Sequence, residues 1–199
     1  MFVRNFAGEW GFGSMRLFDH ILKRNLAHSV RYSAQPQHFP ESVAEHSFFT
    51  AYIGSVLCNL LHKEGVEVDT TRVIEMALVH DTEEQLSGDI LGPFKHYTAE
   101  VREAISTVNK EILPQVFEGL PEDLRNHYVS LWVEDGEGET IEAQIVKMAD
   151  KISLISKCEE EIKVGNEFFE PILAGQIESL KEDDKEWWVK IKDQVLERN

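Results

Sequence analysis

The residues of this chain best suited to chemistry follow the apolar run at residues 77–79, where His80, Asp81, Glu83 and Glu84 occur within five positions. On a helix, Ala77, His80, Asp81 and Glu84 lie three or four residues apart and share an apolar face, which points inward. Buried imidazoles and carboxylates are costly unless they are paired, and a divalent cation would pair with all of them. Because adjacent helical residues point about 100° apart, His80 and Asp81 can both reach one ion only at a helix end, or with partners from elsewhere.

Two more residues of the same chemical types, His46 and Asp150, lie on otherwise apolar faces of two other predicted helices. Together with His80 and Asp81 they form a set of two imidazoles and two carboxylates. This mixed set suits Mn²⁺, Co²⁺, Fe²⁺ or Zn²⁺ and differs from a thiolate site. Four protein ligands would leave positions on a six-coordinate ion for water and a substrate oxygen, which is the arrangement for metal-assisted hydrolysis of a phosphoester.

The elements that must position these residues are predicted to be helices. Apolar residues recur at helical spacing along most of the chain, and no longer alternating strand pattern, repeat or linker is found. Helices are predicted over residues 14–26, 43–64, 70 to the histidine–aspartate motif, 98–118, 121–132, 140–164, 167–181 and 184–197. We expect loops at 31–42 and 85–95, an acidic solvated loop at 134–139, and a break or kink at Pro114. The pattern indicates a single all-α domain.

Bulk composition limits the possible partners. The 199 residues are 42% hydrophobic and 28% charged, which is typical of one globular domain with a sizeable core. A formal net charge of −16 argues against broad nucleic-acid binding, which needs a basic face. Because neither a signal peptide nor an apolar run of about 18 residues is found, we expect a cytoplasmic protein with no membrane partner. Cys58 and Cys158 suit a reducing compartment and are interpreted as packing residues.

The motifs around these residues resemble those of the HD-domain phosphohydrolases, most closely the small 5′-deoxynucleotidase branch. Residues 40–47 read Pro-Glu-Ser-Val-Ala-Glu-His-Ser, residues 80–89 read His-Asp-Thr-Glu-Glu-Gln-Leu-Ser-Gly-Asp, and residues 146–150 read Val-Lys-Met-Ala-Asp. The resemblance covers roughly residues 16–180. A histidine–aspartate doublet alone occurs by chance. The doublet followed by Glu84 and by Gly88-Asp89, together with the upstream motif that contains His46, is specific for the family.

The resemblance implies roles for the residues at the centre of the site. The metal ligands would be His46, His80, Asp81 and Asp150. Glu84 would be the general acid or base, one turn beyond the doublet, where it would orient the attacking water or protonate the leaving oxygen.

The resemblance also implies the substrate contacts. Arg31 would clamp the phosphate, because a planar guanidinium binds phosphate with two parallel hydrogen bonds. Asp89 would accept a hydrogen bond from the sugar 3′-hydroxyl, and Lys95 stands where the family has a further basic residue. Tyr32 departs from the family, which has tryptophan beside the clamp arginine at a position tied to sugar selection. The choice between deoxyribose and ribose therefore stays open.

The family resemblance implies a compact HD-fold helical bundle, with residues 1–13 as an N-terminal extension and residues 14–199 as the HD phosphohydrolase domain, expected to be a homodimer. The favoured reaction removes the 5′-phosphate from (deoxy)nucleoside monophosphates with one divalent cation. One alternative is a (d)NTP triphosphohydrolase, which would need more basic residues than the few seen near the motifs. A second alternative is a nucleotide-binding module without turnover, against which the intact Glu84 and the complete ligand set argue.

Taken singly, these residues also have structural explanations. A histidine on an apolar face is often a hydrogen-bonded core residue. Asp150 could pair with Lys147 one turn earlier. Glu83 and Glu84 could lie at a helix end in solvent, and Arg31 could be an ordinary surface residue. Asp89 could only shape a turn. Asp135, in the acidic segment, could border the site.

Overall fold

A computed structural model of the protein describes residues 24–95 and 97–196. These residues form helices and loops without a β-strand, as the all-α prediction requires. The helices are α1 (Val43–Lys63), α2 (Thr70–Val79), α3 (Glu84–Ser87), α4 (Gly92–Lys95), α5 (Ala99–Val116), α6 (Glu122–Glu137), α7 (Ile141–Lys163), α8 (Glu170–Glu182), α9 (Glu186–Val189) and α10 (Lys192–Leu196). Two short 3₁₀ helices, Asn25–Ala27 and Glu167–Phe169, complete the described chain.

Helices α1, α2 and α7 pack against one another and form the centre of the core. Leu57, Val73 and Ala149, one from each helix, are fully or almost fully buried. Gly54 allows α1 and α2 to approach closely, because a Cβ added there would lie 2.9 Å from Cγ1 of Val73. The three helices that supply the predicted metal ligands are therefore the three that form the rigid centre.

The N-terminus of α1 is fixed by a capping box. The backbone N–H of Glu45 donates to Oγ of Ser42 at 3.2 Å, and the backbone N–H of Ser42 donates to Oε2 of Glu45 at 2.8 Å. This reciprocal pair satisfies two otherwise unpaired backbone donors and sets the first turn. His46 is the next residue, so its position in that turn follows from a local sequence signal.

The loop before α1 is held on α7 by Glu161, which is fully buried. Its carboxylate accepts hydrogen bonds from the backbone N–H groups of His38 at 3.0 Å and Phe39 at 2.9 Å, and from Nζ of Lys157 at 2.8 Å. Burial opposes ionisation, but these donors together with Asn166 lower the pKa of Glu161 to about 2. The ionised carboxylate thus ties the loop at residues 31–42 to the core.

Several predicted boundaries are wrong. Helix α5 is not broken at Pro114: this proline lies in the last turn of the helix, which ends at Val116, and the neighbouring Leu113 and Val116 are buried. Helix α6 passes Trp132 and ends before Gly138, which adopts a φ of 67°. Consequently Glu134 is not in a solvated loop: it forms a salt bridge with Arg72.

Other differences concern shorter segments. The loop predicted at 85–95 contains α3 and α4, and the predicted last helix is divided into α9 and α10. The helix predicted at 14–26 and the extension at 1–13 lie outside the described residues, except for residues 24–26. Both cysteines are free and buried, as expected for packing residues. Among the helices described, none combines the length and the hydropathy needed to cross a membrane.

Candidate metal centre and its two cavities

The structure brings the four predicted metal ligands together. His46, His80 and Asp81 each offer a ligand atom, and these atoms lie within 4.8 Å of one another. Nε2 of His46 lies 3.0 Å from Oδ1 of Asp150, and Nε2 of His80 lies 3.2 Å from Oδ2 of Asp81. Residues separated by more than a hundred positions in the chain therefore converge at one point.

Helix ends position three of the four groups, and the interior of a helix positions the fourth. His46 lies in the first turn of α1, Asp150 lies within α7, and α2 ends at Val79 with His80 as its C-cap. A turn then follows, so the predicted helical face does not continue to Glu84, which begins α3 instead. This helix end is what lets His80 and Asp81 reach the same point.

His80 is prepared as a ligand. Its Nδ1 lies 2.8 Å from the backbone oxygen of Ala77, to which the Nδ1–H donates. Its Nε2 is buried, and its near polar neighbour is another residue of the cluster, Oδ2 of Asp81 at 3.2 Å, with which it forms no well-aligned hydrogen bond. A buried nitrogen without a hydrogen bond is unfavourable, and an N–H hydrogen bond at the opposite ring nitrogen is the usual support of a metal-bound histidine. These residues therefore fit a divalent cation.

The carboxylates of the cluster are stabilised in their ionised form. Burial raises the pKa of Asp81, but His80 and His46 lower it strongly. Burial likewise opposes ionisation of Asp150, and the hydrogen bond and charge of His46 lower its pKa. Burial lowers the pKa of His80, but the neighbouring Asp81 carboxylate raises it to about 10. The site thus concentrates negative charge, which a bound proton or a cation neutralises.

Arg31 lies directly beside this cluster and is not an ordinary surface residue. Its Nη1 is 2.9 Å from Oε2 of Glu41 and 2.7 Å from Nδ1 of His46. Burial lowers the pKa of Arg31, but Asp150 and Asp81 raise it, so the guanidinium stays charged. Sequence analysis missed Glu41, the acid that holds this arginine, although it lies within the quoted motif at residues 40–47.

Tyr32 and Asp89 meet across 57 positions of sequence. The backbone N–H of Tyr32 donates to Oδ2 of Asp89 at 2.8 Å. Tyr32 has a φ of 53°, a left-handed conformation that is uncommon for a residue with a side chain. Its ring packs edge-on against Phe169, with centroids 5.5 Å apart, and burial raises its pKa to about 12. Asp89 therefore does more than shape a local turn.

Two cavities border Asp81 and Asp150. The first, which we call the Arg31 cavity, has a volume of about 350 Å³, and its polar lining includes Arg31, Tyr32, Glu84 and Asp89. The second, the Arg102 cavity, has a volume of about 260 Å³, and its polar lining includes Glu83, Arg102, Asn109, Asp135 and Lys147. Lys95 lines both cavities. The two predicted carboxylate ligands therefore line both cavities.

Glu83 and Glu84 are both buried, so neither ends a helix in solvent. Oε2 of Glu84 has no hydrogen-bond partner in the described part of the chain. Burial and the nearby Asp81 and Asp89 raise its pKa to about 9, so it holds a proton at neutral pH. Glu83 accepts hydrogen bonds from Nε1 of Trp132 at 2.6 Å and from Nδ2 of Asn109 at 3.3 Å. Burial, reinforced by the Asp81 charge, raises its pKa to about 7.

The Arg102 cavity corrects two expectations from the sequence. Basic residues are not scarce near the motifs, because Lys95, Arg102 and Lys147 line this cavity. Lys147 does not pair with Asp150: its Nζ lies 3.7 Å from Oδ2 of Asp135, which does border the site as expected. No local signal in the sequence identifies this cluster, since its members come from α4, α5, α6 and α7.

The helical fold and the cluster of two histidines and two aspartates define an HD-domain phosphohydrolase. An HD-domain phosphohydrolase structure from Listeria innocua is similar, with a TM-score of 0.75 and 27% identity, and the match covers 89% of this chain and 86% of that one. The model of the 5′-deoxynucleotidase YfbR-like family matches residues 18–191. The chain therefore belongs to this family.

Two curated relatives are themselves named 5′-deoxynucleotidases. One, from Vibrio vulnificus, is 32% identical over 130 residues, which are 65% of this chain and 66% of the relative. The other, from Pectobacterium atrosepticum, is 34% identical over 131 residues, which are 65% of each chain. The matched segment thus spans slightly less than two thirds of each relative.

Proposed function

We propose that this protein is a metal-dependent phosphohydrolase that removes the 5′-phosphate from deoxynucleoside monophosphates and releases a deoxynucleoside and phosphate. Membership of the family and the names of its relatives support this assignment. The observation that supports it most is the arrangement of the Arg31 cavity. There a buried, unpaired glutamate and a buried arginine face the same pair of aspartates.

His46, His80, Asp81 and Asp150 would hold one divalent cation, with Mn²⁺, Co²⁺, Fe²⁺ or Zn²⁺ as the candidates that suit two imidazoles and two carboxylates. When bound, such an ion supplies positive charge to the phosphate oxygens and lowers the pKa of water. The hydrogen bond from His80 to Ala77 fixes which ring nitrogen faces the site.

Arg31 orients the phosphate in this proposal. Glu41 and His46 both contact its Nη1, so the remaining guanidinium N–H groups are available to a phosphate in the Arg31 cavity. Charge-assisted hydrogen bonds of this kind are about twice as strong as neutral ones and fix the orientation of the group that they hold.

Glu84 supplies the proton for the leaving oxygen. Its carboxyl group holds a proton at neutral pH and has an oxygen without an intramolecular partner. A group of this kind can donate to the 5′-oxygen as the phosphoester bond breaks. Asp89 accepts the Tyr32 N–H through Oδ2, so its other oxygen is available to a sugar hydroxyl.

The lining of the Arg102 cavity favours a second candidate function, that of a (d)NTP triphosphohydrolase. Its three basic side chains are the kind of residues that a longer phosphate tail requires. The two reactions cut at different positions: one releases phosphate from a monophosphate, and the other releases triphosphate from a triphosphate. A nucleotide-binding module without turnover would need neither Glu84 nor the complete ligand set.

The wider assignments rest on the family for the domain and the oligomeric state, and on the sequence pattern for the cellular location. We propose that residues 14–199 form the HD phosphohydrolase domain, that residues 1–13 precede it as an extension, and that the protein is a cytoplasmic homodimer. Light scattering of the full chain would report its oligomeric state directly.

The test is product analysis. Metal-stripped protein reloaded with Mn²⁺, Co²⁺ or Zn²⁺ would be incubated separately with dAMP, AMP and dATP, and the products separated by chromatography. We expect deoxyadenosine and phosphate from dAMP. Intact dAMP together with triphosphate released from dATP would favour the triphosphohydrolase. No product with any of these metals would leave only the binding module.

A further inference from the structure

The Arg102 cavity is a second space beside Asp81 and Asp150, which also line the Arg31 cavity. It contains neither Tyr32 nor Asp89, the two residues placed to face a nucleoside. Its basic side chains come from three different helices, namely Lys95 on α4, Arg102 on α5 and Lys147 on α7. In a chain with 20 basic and 36 acidic residues, three cations around one small cavity are notable.

The basic groups of this cavity are available to a ligand. The side chains of Lys95 and Arg102 form no hydrogen bond or ion pair with any residue that the structure describes. Lys147 has only a loose contact, because its Nζ is 3.7 Å from Oδ2 of Asp135 and its side chain is 47% exposed. These cations therefore do not serve to stabilise the fold through close ion pairs.

The acidic groups of the cavity are largely engaged elsewhere. Glu83 directs its two oxygens to Trp132 and Asn109, and Asp81 and Asp150 face the proposed cation. Asp135 is the remaining carboxylate, and it lies beside Lys147. With a divalent cation bound, the free charge facing this cavity is therefore mainly positive.

We propose that the Arg102 cavity binds phosphate oxyanions, with Arg102 and Lys147 as their principal contacts. This inference rests on the proposed function, which places the reacting phosphate at Asp81 and Asp150, between the two cavities. The same chemistry has two sources: the phosphate released by hydrolysis, or the distal phosphates of a nucleoside triphosphate. In either case the nucleoside occupies the Arg31 cavity and the phosphates extend toward Arg102.

The experiment is isothermal titration calorimetry of the metal-loaded full chain with two probes, inorganic phosphate and tripolyphosphate. The variants are Arg102→Gln and Lys147→Gln, which remove charge while retaining a polar side chain. Lys110→Gln is the matched control, because this lysine is exposed on the same helix as Arg102 and does not line the cavity.

We expect each cavity variant to weaken binding about tenfold, the effect of losing one charge-assisted hydrogen bond. Weaker binding of inorganic phosphate would identify released phosphate as the ligand. Weaker binding of tripolyphosphate alone would identify the distal phosphates of a triphosphate. Binding of both probes that is unchanged relative to Lys110→Gln would overturn the proposal.

Turnover of dAMP by the same preparations separates this proposal from the proposed function. Calorimetry does not require turnover, so an Arg102-dependent affinity in a protein that leaves dAMP intact would preserve the anion site and remove the monophosphatase assignment. Turnover of dAMP with phosphate affinities that do not depend on Arg102 and Lys147 would preserve the monophosphatase assignment and remove the anion site.

Discussion

Glu83 and Glu84 are adjacent residues of the same type and both are buried, but they line different cavities and differ in their hydrogen bonds. Glu83 borders the Arg102 cavity and is held by Trp132 and Asn109. Glu84 borders the Arg31 cavity, and its Oε2 has no partner among the described residues. Burial alone therefore does not distinguish a carboxylate that the fold holds from one that is left available to a ligand, whereas the number of satisfied hydrogen bonds does.

The two glutamates have different roles in the turn after α2. Glu83 connects the turn after α2 to α5 and α6, and so fixes the backbone from which Glu84 projects. Oε2 of Glu84 has no hydrogen-bond partner among the described residues, and burial raises the pKa of this carboxyl group to about 9. A protonated, unsatisfied carboxyl group is suited to give its proton to a substrate oxygen.

The largest expected effect comes from replacing the two acids separately. Glu84→Gln removes the proton donor while retaining shape and polarity, so we expect kcat for dAMP to fall by about 10²–10⁴-fold. Glu83→Gln keeps an oxygen acceptor for Trp132, so kcat should fall by less than about tenfold. Steady-state kinetics with metal content checked for both proteins measures the difference. Equal losses in the two variants would remove the distinction between the acids.

Glu83 also predicts a pH dependence of stability, best measured on metal-free protein. Burial and the Asp81 charge raise its pKa from 4.5 to about 7, so the folded protein binds this proton more tightly than the unfolded chain. The contribution of Glu83 to the free energy of unfolding therefore falls as pH rises from about 4.5 to about 7. The Glu83→Gln variant has no titratable group at this position, so it lacks this pH dependence.

The stability of Glu83→Gln relative to the wild type should accordingly increase across that pH window, by about 3 kcal/mol at most, and level off above it. Urea unfolding of both proteins at several pH values gives the difference. A difference that does not change with pH would mean that the folded protein does not raise the pKa of this carboxyl group.

The hydrogen bond from Trp132 to Glu83 can also be tested by removing the indole N–H donor. Trp132→Phe leaves Oε2 of Glu83 buried without its partner, so we expect a loss of about 1–3 kcal/mol in the free energy of unfolding. Trp187→Phe is the matched control, because its indole Nε1 donates at 2.9 Å to the neutral Gln144. The control should lose about 1 kcal/mol. A greater loss in Trp187→Phe would show that Glu83 does not depend on Trp132.

The smallest expected effect concerns Tyr32, which lines the Arg31 cavity. Tyr32→Trp restores the residue that the family has beside the clamp arginine and adds ring area next to Asp89. We expect the ratio of kcat/KM for dAMP to that for AMP to rise about fivefold, which corresponds to about 1 kcal/mol of sugar discrimination. Parallel assays of both nucleotides measure this ratio. An unchanged ratio would place sugar selection elsewhere in the cavity.

The sequence predicts those parts of the structure that depend on local signals. The helical periodicity and the caps at Ser42, Asp69 and Thr140 identify α1, α2 and α7, which form the core. The four predicted ligand residues stand out because polar groups interrupt apolar faces. Their convergence was expected from the motif resemblance, and the structure brings these side chains together.

What the sequence does not predict depends on tertiary contacts. Glu83 and Trp132 are 49 positions apart, and neither position shows that the two side chains meet. The same is true of Arg102 and Lys147, which lie on different helices. At Pro114 the local preference for a helix break does not prevail: the helix continues to Val116, and Leu113 and Val116 are buried in the core.

The most direct test of the central claim combines metal analysis with phosphate release. Wild-type protein and Asp81→Ala would each be loaded with Mn²⁺ or Co²⁺, desalted, analysed for bound metal, and assayed with dAMP. We predict one metal ion per wild-type chain together with release of phosphate, and loss of both in Asp81→Ala. An Asp81→Ala protein that retained its metal and its turnover would contradict the assignment of this cluster as the metal-dependent centre of a 5′-deoxynucleotidase.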